Sequence, residues 1–337
     1  WKSRLHELSD FRPGEPQFRA FTHWLFEQWG IDFHCLRDDC RIQGSSERTI
    51  ERAVIQDKNG SLFLLEKYSR NKFNHRHTVA RAVNFLNQNG LTQALACKPN
   101  QAGQSLPFYK DSCFQVSAFL DSTELKRPDY LASGAMGENF ADFLIRLHNA
   151  SVGIQSIVPG TSFCLPDYIA GLMDRVKENN PGVHANYLPF VKFLEIRFIP
   201  EHDTIPTSFC HGDLHPLNVI WNGNRIKAVI DWEFTGFKPE IFDAANLVGC
   251  AGIEDPEGLG MPMVMTFIRE LKNAGIISQK GWDLFPEYIL ALRFAWLSEW
   301  LRKNDTEMLD LEARYMEILM THMDELRSIW NKGPADQ

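Results

Sequence analysis

The apolar positions in the first part of the chain change from a helical to a strand-like period. Aromatic and apolar residues recur at helical spacing from Phe18 to Trp29, and Gly30 follows as a stop signal, so a helix over residues 15–29 is predicted. Alternating runs separated by polar turns then predict strands at 33–42, 49–55 and 62–68. A helix over residues 74–89 and a strand over residues 114–120 complete this region.

Helical periodicity dominates the rest of the chain. Amphipathic helices are predicted over residues 137–149, 167–178, 187–197, 286–301 and 307–330. The exception is a tight hairpin, in which Val219–Trp221 and Ile226–Ile230 form strands around the turn Asn222–Gly223. The pattern therefore predicts an α+β protein.

Three oxygen-bearing side chains flank this hairpin. Asp213 precedes Asn218 by five residues, and Asp231 follows Asn218 by thirteen. Because a hairpin brings its two ends together, we expect Asn218 and Asp231 to be neighbours, and two oxygen ligands at one place suit Mg²⁺. Asp213 lies on the loop before the hairpin, where it can face a substrate hydroxyl.

The segments His211–Pro216 and Ile230–Glu233 resemble the catalytic loop and the metal-binding aspartate of the aminoglycoside phosphotransferase and choline kinase family. This resemblance implies a bilobal, protein-kinase-like α+β fold, with an antiparallel sheet and a helix in the N-lobe and a mainly helical C-lobe. The lobes would comprise residues 1–120 and 121–337. The implied reaction is transfer of the γ-phosphoryl group of ATP to a hydroxyl, with Mg²⁺.

The resemblance also implies roles for the catalytic residues. Asp213 would orient the acceptor hydroxyl or accept its proton, His211 would fix the loop by hydrogen bonding, and Asn218 and Asp231 would hold the Mg²⁺ that bridges the phosphates.

Three nearby residues have two open interpretations each. His215 either approaches the γ-phosphate or is structural. Glu233 either orients the metal ligands or touches the acceptor. Asp243 either braces the catalytic region or caps the helix that begins there.

A nucleotide site is implied by the N-terminal strands. The loop Gly44-Ser45-Ser46 lies between the first two of them, where a kinase N-lobe covers the phosphates with backbone N–H groups. The strand over residues 114–120 would lead into the hinge, where Ala118 and Phe119 would meet the adenine edge.

The third strand should supply a basic residue to the phosphates, and Lys67 is the candidate. A register shift of one residue would put Glu66 there instead. The following helix has no Glu to pair with a strand Lys. Two interpretations stay open: an inverted pair of Glu66 with Arg81, or Lys67 serving the phosphates without a helix partner.

Composition restricts the partners. The net charge of −8 argues against a nucleic-acid binder and is compatible with a cationic acceptor. The seven Cys have no metal-like pair spacing, the N-terminus shows no secretory signal, and no apolar run is long enough to cross a membrane. We therefore expect a cytoplasmic monomer or homodimer without membrane association.

The acceptor is expected to be an amino alcohol, an amino acid, a sugar or an aminoglycoside. Trp296, Glu299 and Trp300 could form a cage for a quaternary ammonium group, or could simply pack in the core. Two alternative functions are a nucleotide-binding pseudokinase or regulatory module, and an enzyme of the same fold that transfers AMP.

Overall fold

The structure, a computed structural model, describes residues 15–160 and 163–331. Its strands are β1 (Phe33–Leu36), β2 (Glu51–Asp57), β3 (Leu62–Ser69), β4 (Phe108–Tyr109), β5 (Ser112–Ala118), β6 (Thr207–Cys210), β7 (Val219–Asn222), β8 (Arg225–Val229) and β9 (Gly236–Pro239). Its α-helices are α1 (Pro16–Trp29), α2 (Phe73–Gln88), α3 (Gly134–Ala150), α4 (Leu165–Asn179), α5 (Pro181–Arg197), α6 (Ile199–His202), α7 (Phe242–Glu254), α8 (Pro262–Ala274), α9 (Gln279–Asp283), α10 (Phe285–Lys303), α11 (Thr306–Thr321) and α12 (Met323–Asn331). The expectation of no secretory signal concerns N-terminal residues outside the described range.

The chain folds as two compact units. The first comprises the described residues up to Glu124, together with Gly153–Val158 and Leu217–Glu233. The second comprises Leu125–Val152, Pro159–Pro216 and the described residues from Phe234 onward. These units alternate along the sequence, and the lobes at 1–120 and 121–337 stay a prediction.

The first unit is built on an antiparallel sheet in the order β1-β2-β3-β5-β4. On β3, Leu65 packs with Phe21 and Trp29 of α1, whereas Tyr68 packs with Ala80 of α2. Because neighbouring strand residues point to opposite faces, odd-numbered β3 side chains face α1 and even-numbered ones face α2. This parity decides which β3 side chains can reach a ligand on the α2 side.

The predicted hairpin also belongs to the first unit. Strands β7 and β8 pair antiparallel, with Val219 opposite Val229. Gly223 in the turn has φ 59°, a left-handed conformation that glycine adopts at little cost.

The second unit is mainly helical, as predicted for the C-terminal part. Helix α10 packs against α4, α7 and α11, and α3 lies along α8. The close approach of α3 and α8 requires Gly137, since a Cβ there would lie 2.2 Å from the carbonyl oxygen of Met263. Strands β6 and β9 form a small two-stranded sheet.

Element types agree with the sequence predictions more closely than element lengths do. The first helix ends as predicted at Trp29, and Gly30 has φ 68°. The predicted first strand over 33–42 is shorter and ends at Leu36. The single helix predicted over 307–330 is two helices that break at His322. No helix in the described part of the chain has the length and apolar character needed to span a bilayer.

Candidate functional site

The loop that carries His211 and Asp213 begins at the end of β6 in the second unit. Cys210, the last residue of β6, is paired with Gly236 of β9. The hydroxyl of Thr235 donates a 2.7 Å hydrogen bond to the Cys210 carbonyl. The entry to the loop is thus held by the small sheet.

Asp243 fixes the backbone of this loop. Its carboxylate accepts hydrogen bonds from the backbone N–H groups of His211 (2.7 Å) and Gly212 (2.8 Å). Burial raises the pKa of Asp243 to about 6, although the two hydrogen bonds oppose the shift. The residue at the N-cap is Ile241, so the capping interpretation of Asp243 is wrong and the bracing interpretation is correct.

Gly212 is needed for the shape of the loop. It has φ 87°, and a Cβ at this position would lie 2.2 Å from the Phe234 carbonyl oxygen and 2.8 Å from Cε of Lys238. Both the backbone conformation and the close approach exclude a larger residue.

His211 and Asp213 are linked through the loop backbone. The backbone N–H of Asp213 donates to Nδ1 of the fully buried His211 ring at 3.2 Å. An accepting Nδ1 carries no proton, so His211 fixes the loop in one ring tautomer. Nε2 of His215 lies 3.8 Å from Oδ2 of Asp213, and its ring meets Trp296 edge-on.

Asn218 and Asp231 lie together in the first unit. The backbone N–H of Ile230 donates to the Asn218 carbonyl at 3.0 Å, which places Asn218 beside the residue before Asp231. Asp231 has φ 66°, a left-handed conformation that is uncommon for a residue with a side chain. The hairpin therefore brings its two ends together, as its turn signal predicted.

Most of the predicted nucleotide-binding residues line a cavity in the first unit. Gly44 and Ser45 of the loop, Ala118 and Phe119 of the predicted hinge, and Asp231 all line it. Three predicted residues are outside this lining: Ser46, Lys67 and Asn218.

The position of Lys67 follows from the parity of β3. Leu64, Glu66 and Tyr68 line the cavity, so Lys67 lies on the opposite face of the strand. Burial lowers the pKa of Lys67. The charged side chain that β3 presents to the cavity is therefore the carboxylate of Glu66.

Glu66 is surrounded by partners other than the one proposed from sequence. Nε of Arg52 lies 3.6 Å from its Oε1, and Nε2 of Gln115 donates to its Oε2 at 3.3 Å. Arg81 is exposed and, among the described residues, makes no ion pair with Glu66. The inverted Glu66–Arg81 pair is therefore absent from this structure.

Helix α2 contributes a different arginine. Nη1 of Arg76 donates to Oε2 of Glu233 at 2.7 Å, Nη2 donates to Gln115 at 3.3 Å, and the guanidinium lies 4.4 Å from the Tyr68 ring centre. Burial alone would raise the pKa of Glu233, but hydrogen bonds from His75 and Arg76 lower it to about 2.

Sequence reasoning missed Arg52 and Arg76 as cavity residues. The period-two pattern of β2 and β3 was the available signal, because it places position 52 on the same face as position 66 once their pairing is known. Sequence alone did not show which face that was.

Two cationic side chains of this protein lie close to the aromatic rings of the possible cage of Trp296, Glu299 and Trp300. The guanidinium of Arg293 lies 5.5 Å from the Trp296 ring centre, and Nζ of Lys303 lies 5.7 Å from that of Trp300. Glu299 is paired with Arg302 and Lys303. The two half-buried Trp rings stack on each other, with their centres 5.6 Å apart.

Comparison with solved structures shows a kinase-like fold. An aminoglycoside phosphotransferase from Alicyclobacillus acidocaldarius is 13% identical and superposes with a TM-score of 0.64 over 96% of this chain and 98% of that chain. The amicoumacin kinase hAmiN, solved with AMP-PNP, Ca²⁺ and Ami, is 14% identical, with a TM-score of 0.64 over 94% and 96%. A choline/ethanolamine kinase family protein from Mesorhizobium loti is 13% identical, with a TM-score of 0.57 over 95% and 96%.

Comparison by sequence is more specific. No curated protein sequence matches the chain. The model of the phosphotransferase enzyme family, however, matches residues 46–275, which include the catalytic loop and the hairpin and begin at the last residue of the Gly44–Ser46 loop. The chain therefore belongs to the phosphotransferase enzyme family and is a small-molecule phosphotransferase.

Proposed function

We propose that this protein transfers the γ-phosphoryl group of ATP to a hydroxyl group of a small molecule in a Mg²⁺-dependent reaction. The observation that carries the proposal is the cavity of the first unit, where the Gly44–Ser45 loop, the Ala118–Phe119 segment and Asp231 converge. A phosphate-covering loop, a strand end for adenine and an acidic residue are the parts that a kinase nucleotide site needs.

The residues proposed to hold the metal fit a magnesium ion. Asn218 offers an amide oxygen and Asp231 a carboxylate, and hard oxygen ligands are those that Mg²⁺ prefers. The left-handed backbone of Asp231 supports this assignment, since strained non-glycine residues cluster at functional sites. When bound, Mg²⁺ neutralises charge on the phosphates.

Asp213 is proposed to act on the acceptor. It would take the proton of the acceptor hydroxyl as the new oxygen–phosphorus bond forms and the bond from the γ-phosphorus to the β-phosphate oxygen breaks, leaving ADP. Asp243, Gly212 and His211 support this role, because together they hold the backbone of the Asp213 loop.

The acceptor is proposed to be an amino alcohol, an amino acid, a sugar or an aminoglycoside. The amicoumacin kinase and the choline/ethanolamine kinase family protein are named for nitrogen-containing acceptors, which supports this range. The net charge of −8 adds weak support for a cationic acceptor.

The test is acceptor-dependent release of ADP from Mg·ATP across a panel of these compounds, with Asp213→Asn as the matched variant. We expect turnover by the wild-type protein, a loss of at least about 100-fold in kcat for Asp213→Asn, and nucleotide affinity within about threefold of wild type. Full turnover by the variant would exclude Asp213 as the acceptor's base.

A second candidate function is a nucleotide-binding module without transfer. The observation that favours it is the carboxylate of Glu66 on the β3 face that lines the cavity, where kinases carry a lysine. Tight binding of Mg·ATP with no turnover on any acceptor would support this candidate over the kinase.

A further inference from the structure

The nucleotide cavity obtains its positive charge from strand β2 and helix α2 instead of β3. Its lining includes Arg48, Arg52 and Arg76, whereas the β3 side chain at the same place is Glu66. A site for a triphosphate needs a cation close to its phosphate oxygens, because these groups carry several negative charges. The partners of Arg52 and Arg76 differ, and they decide which of these two side chains a phosphate can recruit more easily.

Arg52 is positioned by its neighbours on the sheet. It is directly opposite Glu66 in the β2–β3 pairing, its Nε lies 3.6 Å from Glu66 Oε1, and its side chain is 10% exposed. This Nε is buried without a hydrogen-bond partner among the described residues, so Glu66 attracts the guanidinium by charge alone.

The other nitrogens of Arg52 are bound to the loop predicted to cover the phosphates. Nη1 donates to the carbonyls of Gly44 and Ser45, each at 3.1 Å, and Nη2 donates to the carbonyl of Gln43. The loop packs closely against Ile230, which also lines the cavity, since a Cβ on Gly44 would lie 3.0 Å from Cδ1 of Ile230. Arg52 thus holds the loop through three neutral acceptors.

Arg76 is held by the charged Glu233 and the neutral Gln115, while its Nε is buried without a hydrogen-bond partner among the described residues. Its Nη1 donates to the carboxylate of Glu233 at 2.7 Å. The guanidinium also lies 4.4 Å from the centre of the Tyr68 ring, and this contact further stabilises its position. Both sets of bonds have an ionised donor, but only the Arg76–Glu233 bond also has an ionised acceptor, which adds the attraction between two full charges. A phosphate would therefore displace the loop carbonyls from Arg52 more readily than it would displace Glu233 from Arg76.

We propose that Arg52 is the residue that binds the nucleotide phosphates in this protein, in place of a lysine on β3, and that the carbonyls of residues 43–45 occupy it when no nucleotide is bound. This inference rests on the proposed function, because it assumes that the cavity binds a nucleotide. On binding, the phosphate oxygens replace neutral carbonyls as acceptors on the planar guanidinium, which matches a pair of phosphate oxygens.

The test is a calorimetric measurement of Kd for ATP, ADP and adenosine with wild type, Arg52→Gln and Arg52→Lys, with Mg²⁺ present. We expect Arg52→Gln to weaken ATP by about 10- to 100-fold, to weaken ADP less, and to leave adenosine within about twofold. Arg52→Lys, which keeps the charge without the planar fork, should show an intermediate loss for ATP. Arg19→Gln, an exposed arginine on α1, is the matched control and should bind all three compounds as wild type does.

Three results would overturn the inference while the proposed function stands. Unchanged or tighter ATP binding by Arg52→Gln would mean that the arginine only holds the loop. An equal loss for ATP and adenosine would mean a structural role. A larger loss of ATP affinity in Lys67→Gln than in Arg52→Gln would mean that Lys67 on β3, and not Arg52, binds the phosphates. If Arg52→Gln does not fold, Arg52→Lys decides the matter by the same comparison. Failure of the wild-type protein to bind any nucleotide would instead reject the proposed function, and this inference with it.

Discussion

Arg76 and Glu233 form a nearly buried ion pair, with Nη1 of the arginine 2.7 Å from Oε2 of the carboxylate and side-chain exposures of 11% and 7%. Nε2 of His75 lies 3.3 Å from the other carboxylate oxygen. Within the first unit, the pair connects helix α2 to the segment that follows the β7–β8 hairpin. It therefore links the helix to the residues next to Asp231.

Loss of Arg76 should destabilise the first unit strongly. In Arg76→Met the Glu233 carboxylate remains buried with one partner fewer, and we expect a loss of about 3 kcal/mol at pH 7. Urea unfolding followed by fluorescence measures the change. The double variant Arg76→Met/Glu233→Gln should recover at least about 1 kcal/mol, since it leaves no unpaired charge.

Arg81→Met is the matched control on the same helix. Arg81 is exposed, so its substitution should change the free energy of unfolding by less than about 0.5 kcal/mol. An equal cost for the two arginines would show that the ion pair contributes little.

Gly212→Ala should disable the catalytic loop. The added Cβ would meet the Phe234 carbonyl oxygen at 2.2 Å, so the backbone before Asp213 has to move. Displacement of a reacting group by about 1 Å commonly costs about 100-fold in rate, and we expect at least that loss in kcat.

Gly223→Ala separates this steric effect from backbone strain. Gly223 also has positive φ, but a Cβ there has no atom within 4 Å. The variant should lose about 1 kcal/mol of stability and keep kcat within about threefold of wild type. Similar kcat losses in both variants would contradict the steric explanation.

The bracing carboxylate of Asp243 should make stability depend on pH. Its pKa in the folded protein is about 6, because it is buried, and lies above the unfolded value of about 3.9. The carboxyl therefore stabilises the fold most below about pH 4, and this contribution is lost as the pH rises through about 6.

Asp243→Asn removes this titration and is the variant to compare. The free energy of unfolding of the variant minus that of wild type should increase by about 2–3 kcal/mol between pH 4 and pH 7, because only the wild type loses stability over this range. Its kcat should be lower at every pH, because an amide offers one acceptor oxygen to the two N–H groups of His211 and Gly212. A stability difference independent of pH would contradict the assignment of the raised pKa.

The second unit depends on a fully buried pair, Arg293 on α10 and Glu312 on α11. Nη2 of Arg293 donates to Oε2 of Glu312 at 2.8 Å, and Nε1 of Trp300 donates to the same oxygen at 3.1 Å. Glu312→Ala leaves the guanidinium buried without its carboxylate, and denaturant unfolding should show a loss of about 3–5 kcal/mol. Glu299→Gln, which removes a surface ion pair on α10, should cost less than about 1 kcal/mol.

The sequence by itself determined the features that depend on local physics. The Asn222–Gly223 turn specified the hairpin and with it the proximity of Asn218 to Ile230 and Asp231. Helical periodicity located α1 and α10, and the short motif around Asp213 identified the family. These signals are encoded by residues within about twenty positions of one another, so no distant partner is needed to interpret them.

Only the tertiary structure decided which face of β3 meets the cavity. Alternation in the sequence shows that Glu66 and Lys67 point to opposite sides, but the side covered by α1 is known only when Leu65 is seen packed against Phe21. The tertiary structure alone also revealed three sets of contacts: Arg52 with the carbonyls of residues 43–45, Arg76 with Glu233, and Asp243 with the backbone of His211 and Gly212. Each pairing depends on how strands and helices pack, and packing is set by burial of side chains that are distant in sequence.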